Sequence, residues 1–351
     1  MIFHIKNTDS NVLISALLGL LAVTLGGGNA WGDTTVFLVG PDLKARQITL
    51  NSVENSTMTF FDADGLLQVE PLSDYLRWRI TPRDFKAKWP AGSVAIDLSD
   101  GRRWTGQWLG TRDKGQILLL KHWLFGQVET DLEQVRRIAF DGSFDGPVST
   151  QRDQVVLVNG DRLTGFVNAI EGDKVSFQPK GKRQTLGLEI KSIRLIHLAN
   201  PAKPKVDFHV ITLIDGTRVL TREFSVIGDT MSLKMGRDAG AAPVTIPLKK
   251  VSGVDVANPS RRLIDLSSLP RKTLAGGKVF GLTMPLRIEG TAIRMHAPVT
   301  IQFELPPGAT RFSAEARLDV EMPAAVGLKN AGPSKAKKGQ KSRICGGGSQ
   351  K

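Results

Sequence analysis

Two tryptophans four residues apart, Trp104 and Trp108 in the stretch RRWTGQWLG, are the pair whose type and spacing best suit ligand chemistry. On a strand both rings fall on one side, where they offer either a stacking platform or cover for the junction between neighbouring modules. In a later segment His296, between Met295 and Ala297, is placed to hydrogen-bond a ligand or to serve as a satisfied structural histidine, and Arg294 is the other candidate contact there. The loop Asp141-Gly-Ser-Phe-Asp145-Gly sets two carboxylates four apart, but calcium needs six to eight oxygens, so an inter-module linker is the expectation.

Other reactive chemistry has little to build on. One cysteine excludes an internal disulfide framework and a cysteine-built zinc site, and the five histidines lie too far apart for a local metal pair. Asp153, Asp161 and Asp173 sit at turns, where aspartate bonds the local backbone. No nucleophile elbow, P-loop or paired-acid signature is visible. The expectation is a protein that is not an enzyme and takes no cofactor or metal.

The elements that position these residues are strands, and they repeat. VAIDLSDGRRWTGQWLG from Val94, VVLVNGDRLTGFVNAIEGD from Val155 and VITLIDGTRVLTREFSVIGD from Val210 begin alike, with turn glycines Gly101, Gly160 and Gly216 spaced by 59 and 56 residues. A fainter copy starts near Val36 without the Asp-Gly or Asn-Gly turn. Each copy predicts a hairpin, a third strand (Gln116 to Leu120, Lys174 to Gln178, Thr230 to Lys234), and an apolar segment leading into a basic-apolar strand (132–140, 188–198, 246–256). Five short strands with no predicted helix bury little as an open sheet, so each copy should curl into a small barrel. The expected fold class is all-β: tandem barrel repeats, then a partial β-sandwich. The expected divisions are a degenerate copy at 33–85, barrels at 94–140, 153–198 and 208–257, a sandwich segment at 260–322 and a disordered basic tail at 323–351.

Two resemblances follow from these motifs. The run from Val155 to Phe177, with Asn-Gly, a glycine five residues on, then Gly-Asp and a strand, resembles the first motif of Sm-like and SH3-like small β-barrels. Leu188 to Leu198 lacks the Arg-Gly signature of that family's second motif, so the resemblance implies a fold and not RNA binding. Arg102, Arg162 and Arg218, which follow their turns, read as solvated turn residues. LIDLSSLP from Leu263, with the Met295-His296-Ala297 step and the strands VTIQFEL and RFSAEARLD, resembles the NPCBM family, carbohydrate-binding modules found beside glycoside hydrolase family 98 catalytic domains. That resemblance implies a β-sandwich of galactose-binding-like topology and sugar recognition; Arg294 stands where the family commonly has glycine. The family continues for several strands beyond Asp319, so the module is either truncated or completed by a partner.

Charge and hydropathy bound the partners. The 351 residues are 41% hydrophobic and 23% charged with a formal charge of +13, the proportions of a globular chain. Seven of those positive charges lie from Lys329 onward with no acid among them, and subtracting seven from thirteen leaves +6 for the rest. The tail is either a solvated end or a contact for anionic envelope polymers. Lys6, the apolar run VLISALLGLLAVTL from Val12 and the small residues ending at Ala30-Trp31-Gly32 form a signal peptide, 1–32, expected to be removed, with retention as an anchor the alternative. No later segment is long and apolar enough to span a membrane. The sequence therefore predicts an exported, non-catalytic bacterial envelope protein, periplasmic or at the cell surface. Its expected role is scaffolding or binding a polysaccharide or glycoconjugate, with no nucleic acid preferred. The alternative is a polyanion or nucleic-acid binder acting through Sm-like barrels and the basic tail.

Overall fold

A computed structural model describes residues 34–80, 92–140, 152–203, 207–234 and 243–258, and parts of the backbone between 260 and 311. The leader, the Asp141–Asp145 loop, His296, the strand expected after Arg311 and the basic tail lie outside the described residues.

The chain is all-β, and no α-helix occurs among the described residues. The first copy comprises β1 (Thr34–Val39), β2 (Ala45–Glu54), β3 (Thr57–Phe61), β4 (Leu67–Pro71) and β5 (Arg77–Arg79). The second comprises β6 (Ser93–Leu98), β7 (Arg103–Arg112), β8 (Ile117–His122), β9 (Gly126–Asp131) and β10 (Val135–Ala139). The third comprises β11 (Asp153–Leu157), β12 (Arg162–Glu171), β13 (Lys174–Pro179), β14 (Leu186–Glu189) and β15 (Ile193–His197). The fourth has six strands: β16 (His209–Leu213), β17 (Arg218–Thr221), β18 (Phe224–Ile227), β19 (Thr230–Leu233), β20 (Val244–Pro247) and β21 (Val251–Asp255).

In each copy the last strand returns to pair antiparallel with the first, which curls the meander into a small barrel. One 3-10 turn precedes that last strand in every copy. Its first residue, Leu72, Leu132, Ile190 or Leu248, donates its N–H to the carbonyl of Ser56, Gln116, Asp173 or Asp229, fixing the corner at the same point each time. Gly160 and its counterparts Gly101 and Gly216 have φ of 92°, 99° and 85°, the left-handed backbone the tight hairpin needs.

The long second strand of the second and third copies crosses the third strand at a glycine. A β-carbon on Gly165 would sit 2.0 Å from the Gln178 carbonyl oxygen, and one on Gly106 would sit 2.6 Å from that of Lys121. The fourth copy has Thr221 at this position, and there the strand is interrupted: the Thr221 hydroxyl donates to the carbonyls of Glu223 and Lys234, and β18 restarts at Phe224. In the first copy Ile48 holds the position, and β3 ends opposite its neighbour Thr49.

The copies are not strung in a row. The last strand of a barrel has a second edge, and it pairs with the last strand of another copy. β10 pairs with β15 through Ile138↔Ile196, and β5 pairs with β21 through Trp78↔Val254. Both facing pairs are equivalent positions of the repeat, so each pair of barrels is related by a local two-fold. The second copy thus joins the third and the first joins the fourth, which covers edges that an isolated barrel would expose. A third contact links the pairs at Arg218↔Arg103, between β17 and β7. The buried aliphatic core runs through all four copies as one cluster, with Trp78, Phe60, Phe177 and Ile138 among its fully enclosed side chains.

After the fourth copy the described backbone forms three two-stranded antiparallel pieces. β22 (Arg271–Gly276) pairs with β27 (Val299–Phe303), β23 (Lys278–Val279) with β24 (Leu282–Thr283), and β25 (Arg287–Glu289) with β26 (Ala292–Arg294). Among the described residues no helix is long and apolar enough to cross a membrane.

Candidate functional site: a cleft between the second and third barrels

The 2–3 pair is held by more than its strand edges. Asn200 Nδ2 donates to the carbonyls of Leu132 at 3.2 Å and Val135 at 2.6 Å, tying the chain beyond β15 to the second barrel. Within the third copy Asp153 accepts the N–H groups of Val167 and Ala199, both at 2.8 Å, which holds the start of that chain segment in place. Gly115, at φ 82°, lies so close to Ile170 that an added β-carbon would come within 2.6 Å of its carbonyl oxygen. Side-chain and backbone contacts of this kind fix the angle between the barrels.

That angle opens a cleft of about 440 Å³, lined by Val94, Trp108 and Phe140 from the second barrel and by Val158, Ile193 and Arg194 from the third; Gly92, Ile190 and Lys191 also reach it. Its size suits a small ligand or one or two units of a polymer. Trp108 is partly exposed and stands edge-on to Phe140, with centroids 5.8 Å apart at 75°, so the phenyl ring braces the indole. Lys191 pairs with Glu189 at 2.8 Å but stays open to water, so the basic wall remains reachable. The cleft therefore combines an aromatic face, aliphatic walls and two cations.

Trp104 goes elsewhere. It is 5% exposed, with its ring edge-on to His122 and Phe125, so it fills the second barrel's contact region and gives no open platform with Trp108. The strand bulges between Trp108 and Gly110, and the two indoles engage separate partners. Arg294 ends β26, and only its backbone is described.

A second cluster joins the second and fourth barrels. His122 Nδ1 accepts the N–H groups of Leu124 and Phe125, so the ring proton is on Nε2, which faces Asp215 at 3.2 Å and the Thr217 hydroxyl at 3.0 Å. Thr217 also meets the Thr105 hydroxyl at 2.5 Å, and Asp215 accepts the Trp123 indole N–H at 2.6 Å. Although Thr, His and Asp meet here, the arrangement is not a nucleophile relay. The relay needs the carboxylate on one ring nitrogen and the hydroxyl on the other; here both share Nε2, and Thr217 is fully buried. Burial works against ionisation of Asp215, but the bonds from His122, the Thr217 N–H and Trp123 hold its carboxyl down to about 2. This network locks a joint. Among the described residues no group of three or more His, Cys, Asp or Glu is placed to hold a metal.

Two histidines make stability depend on pH. Burial, then the guanidiniums of Arg137 and Arg162, push His197 down to about 4, and burial alone takes His209 to about 4 while its Nδ1 accepts the Ala257 N–H. Both folded values lie below the unfolded value near 6.5, so the unfolded chain binds protons first. The contribution is whole above pH 6.5 and is lost as pH falls from 6.5 towards 4. Each histidine should remove on the order of 2 kcal/mol between pH 7.5 and 4.5, read from urea denaturation curves. His197→Gln and His209→Gln should each flatten that fall by its own share, whereas an unchanged slope in both variants would contradict the assignment. Below pH 4, protonation of Asp97 and Asp215 should add to the loss.

No protein-family model matches this chain, and no curated protein matches it.

Proposed function

We propose that this is an exported, non-catalytic binding or scaffold protein of the bacterial envelope, and that the cleft between its second and third barrels takes a segment of acidic polysaccharide or glycoconjugate. The observation that carries this reading is the braced, solvent-accessible face of Trp108 beside Lys191 and Arg194. A pyranose ring presents a flat C–H face to an indole, and a uronate carboxylate presents a planar acceptor to a guanidinium. The leader-like segment and the NPCBM-like residues of the sequence point the same way.

The test is calorimetric titration of the full chain with polygalacturonate oligomers, with dextran as the neutral control. Binding should be at least ten-fold tighter for the acidic polymer. Trp108→Ala should weaken it ten-fold or more while urea denaturation still shows one cooperative unfolding transition. Equal binding of both polymers, or an affinity that Trp108→Ala leaves alone, would remove the reading.

A further inference from the structure

The residue two after the turn glycine is arginine in three copies: Arg103, Arg162 and Arg218. Two of these equivalent arginines face each other, because β17 and β7 meet at Arg218↔Arg103. Residues directly opposite on antiparallel strands share a face with β-carbons about 5 Å apart, and like charges placed so repel. Arg103 is compensated: its Nε donates to Asp97 at 2.5 Å and its second nitrogen to the other carboxylate oxygen at 3.2 Å. Asp97 is already shared, since Arg137 donates to it as well.

Asp255 and Asp265, whose charges also act on Arg218, are both taken up by Arg77, Asp265 at 2.7 and 3.1 Å. Arg218 itself makes no hydrogen bond or ion pair with any described residue, and it is open to solvent. The neighbouring charge of Arg103, more than burial, draws its pKa down to about 10, although Asp97, Asp255 and Asp265 act in the opposite direction. It therefore stays charged at neutral pH. The guanidiniums of Arg77, Arg79, Arg103, Arg136, Arg137 and Arg218 thus outnumber the carboxylates of Asp97, Asp255 and Asp265, and the Arg218 fork faces water beside its twin.

We propose that Arg218, at the junction of the second and fourth barrels, binds a tetrahedral oxyanion, a phosphate or sulfate group, that supplies the negative charge the arginine-rich junction lacks. Two oxygens of such a group match the guanidinium fork, and its charge relieves the repulsion from Arg103. The site is separate from the Trp108 cleft and stands whether or not that cleft takes a glycan.

The experiment follows thermal unfolding of the full chain in sodium chloride, inorganic phosphate and polyphosphate at equal ionic strength. Phosphate in about ten-fold excess over its dissociation constant should raise Tm by about 3 °C over chloride. A shift with both phosphates assigns the free ion, and a shift with polyphosphate alone assigns a polymer-borne group. Arg218→Gln should unfold at a higher temperature than the parent in chloride, since the repulsion is gone, and should show no phosphate shift. Arg218→Lys keeps the charge and should lose most of the shift, whereas Arg162→Gln, the equivalent residue of the third copy, should keep all of it. Absence of any shift in the parent chain, or a full shift in both Arg218 variants, would overturn the proposal.

Discussion

Asp97→Asn is expected to remove about 3–5 kcal/mol of folding free energy, the cost of breaking a buried ion cluster from one side. Asp97 is 8% exposed at the end of β6, and its two carboxylate oxygens hold Arg103 and Arg137 together. Burial opposes the charge, yet the two guanidiniums keep the carboxyl well below the usual carboxylate range, so the pair interactions win over desolvation. Asparagine keeps the shape and withdraws the charge. Arg103, Arg137 and Arg218 would then confront one another around a neutral amide, at the point where the second copy touches the fourth. Urea denaturation should show a lower midpoint with an unchanged slope. Glu189→Gln, which breaks an ion pair 84% and 49% exposed at its two side chains, should leave the urea midpoint almost unmoved. If the two substitutions cost the same, the junction is not held by Asp97.

Gly165→Ala should cost about 3 kcal/mol, for a steric and not an electrostatic reason. The new β-carbon would have to occupy space 2.0 Å from the Gln178 carbonyl oxygen and 2.8 Å from the Phe177 ring, and the nearest atom is backbone, which cannot swing aside. Gly106→Ala meets the Lys121 carbonyl at 2.6 Å and should behave alike in the second copy. Gly187→Ala is the internal control, because its β-carbon would meet only the Lys174 side chain at 4.0 Å. Thermal and urea unfolding of the three variants should separate the first two from the third, and equal stability across all three would show that the strand crossing is looser than described.

The elements were readable because their determinants are local. Asn159-Gly160 accepts left-handed backbone, the valine and leucine positions of Val155, Leu157 and Leu163 alternate, and the third strands begin within a residue of where the pattern puts them. The association of the copies was not readable, because it is made by backbone edges and by positions that look like ordinary core. Trp78, Ile138, Ile196 and Val254 would be apolar in any barrel; nothing in their side-chain types says that each faces its own equivalent across a two-fold.

Trp104 and Trp108 share a side of β7 by alternation, but the barrel surrounds one and leaves the other at the cleft, a difference of depth that spacing does not encode. The arginine junction had a signal that the turn reading passed over. Asp97 lies in VAIDL, Arg136 and Arg137 in VRRIA, and Arg77 and Arg79 in RWR, all charges inside strands that are otherwise apolar. A charge in such a place needs a partner, so those strands had to meet acids from elsewhere in the chain.

The pairing of the first and fourth barrels is the claim on which the two-fold arrangement of the copies and the continuous core rest, and a distance measurement tests it directly. β2 and β18 pair at Val53↔Val226 and Ser52↔Ile227, so Glu54 and Ile227, both exposed, are close neighbours across copies far apart in the chain. With Cys345 replaced by serine, spin labels on cysteines at Glu54 and Ile227 should give a dipolar distance distribution centred below about 20 Å. Four barrels arranged in a row, each about 25 Å across, would place the labels beyond about 50 Å, and that result would contradict the account.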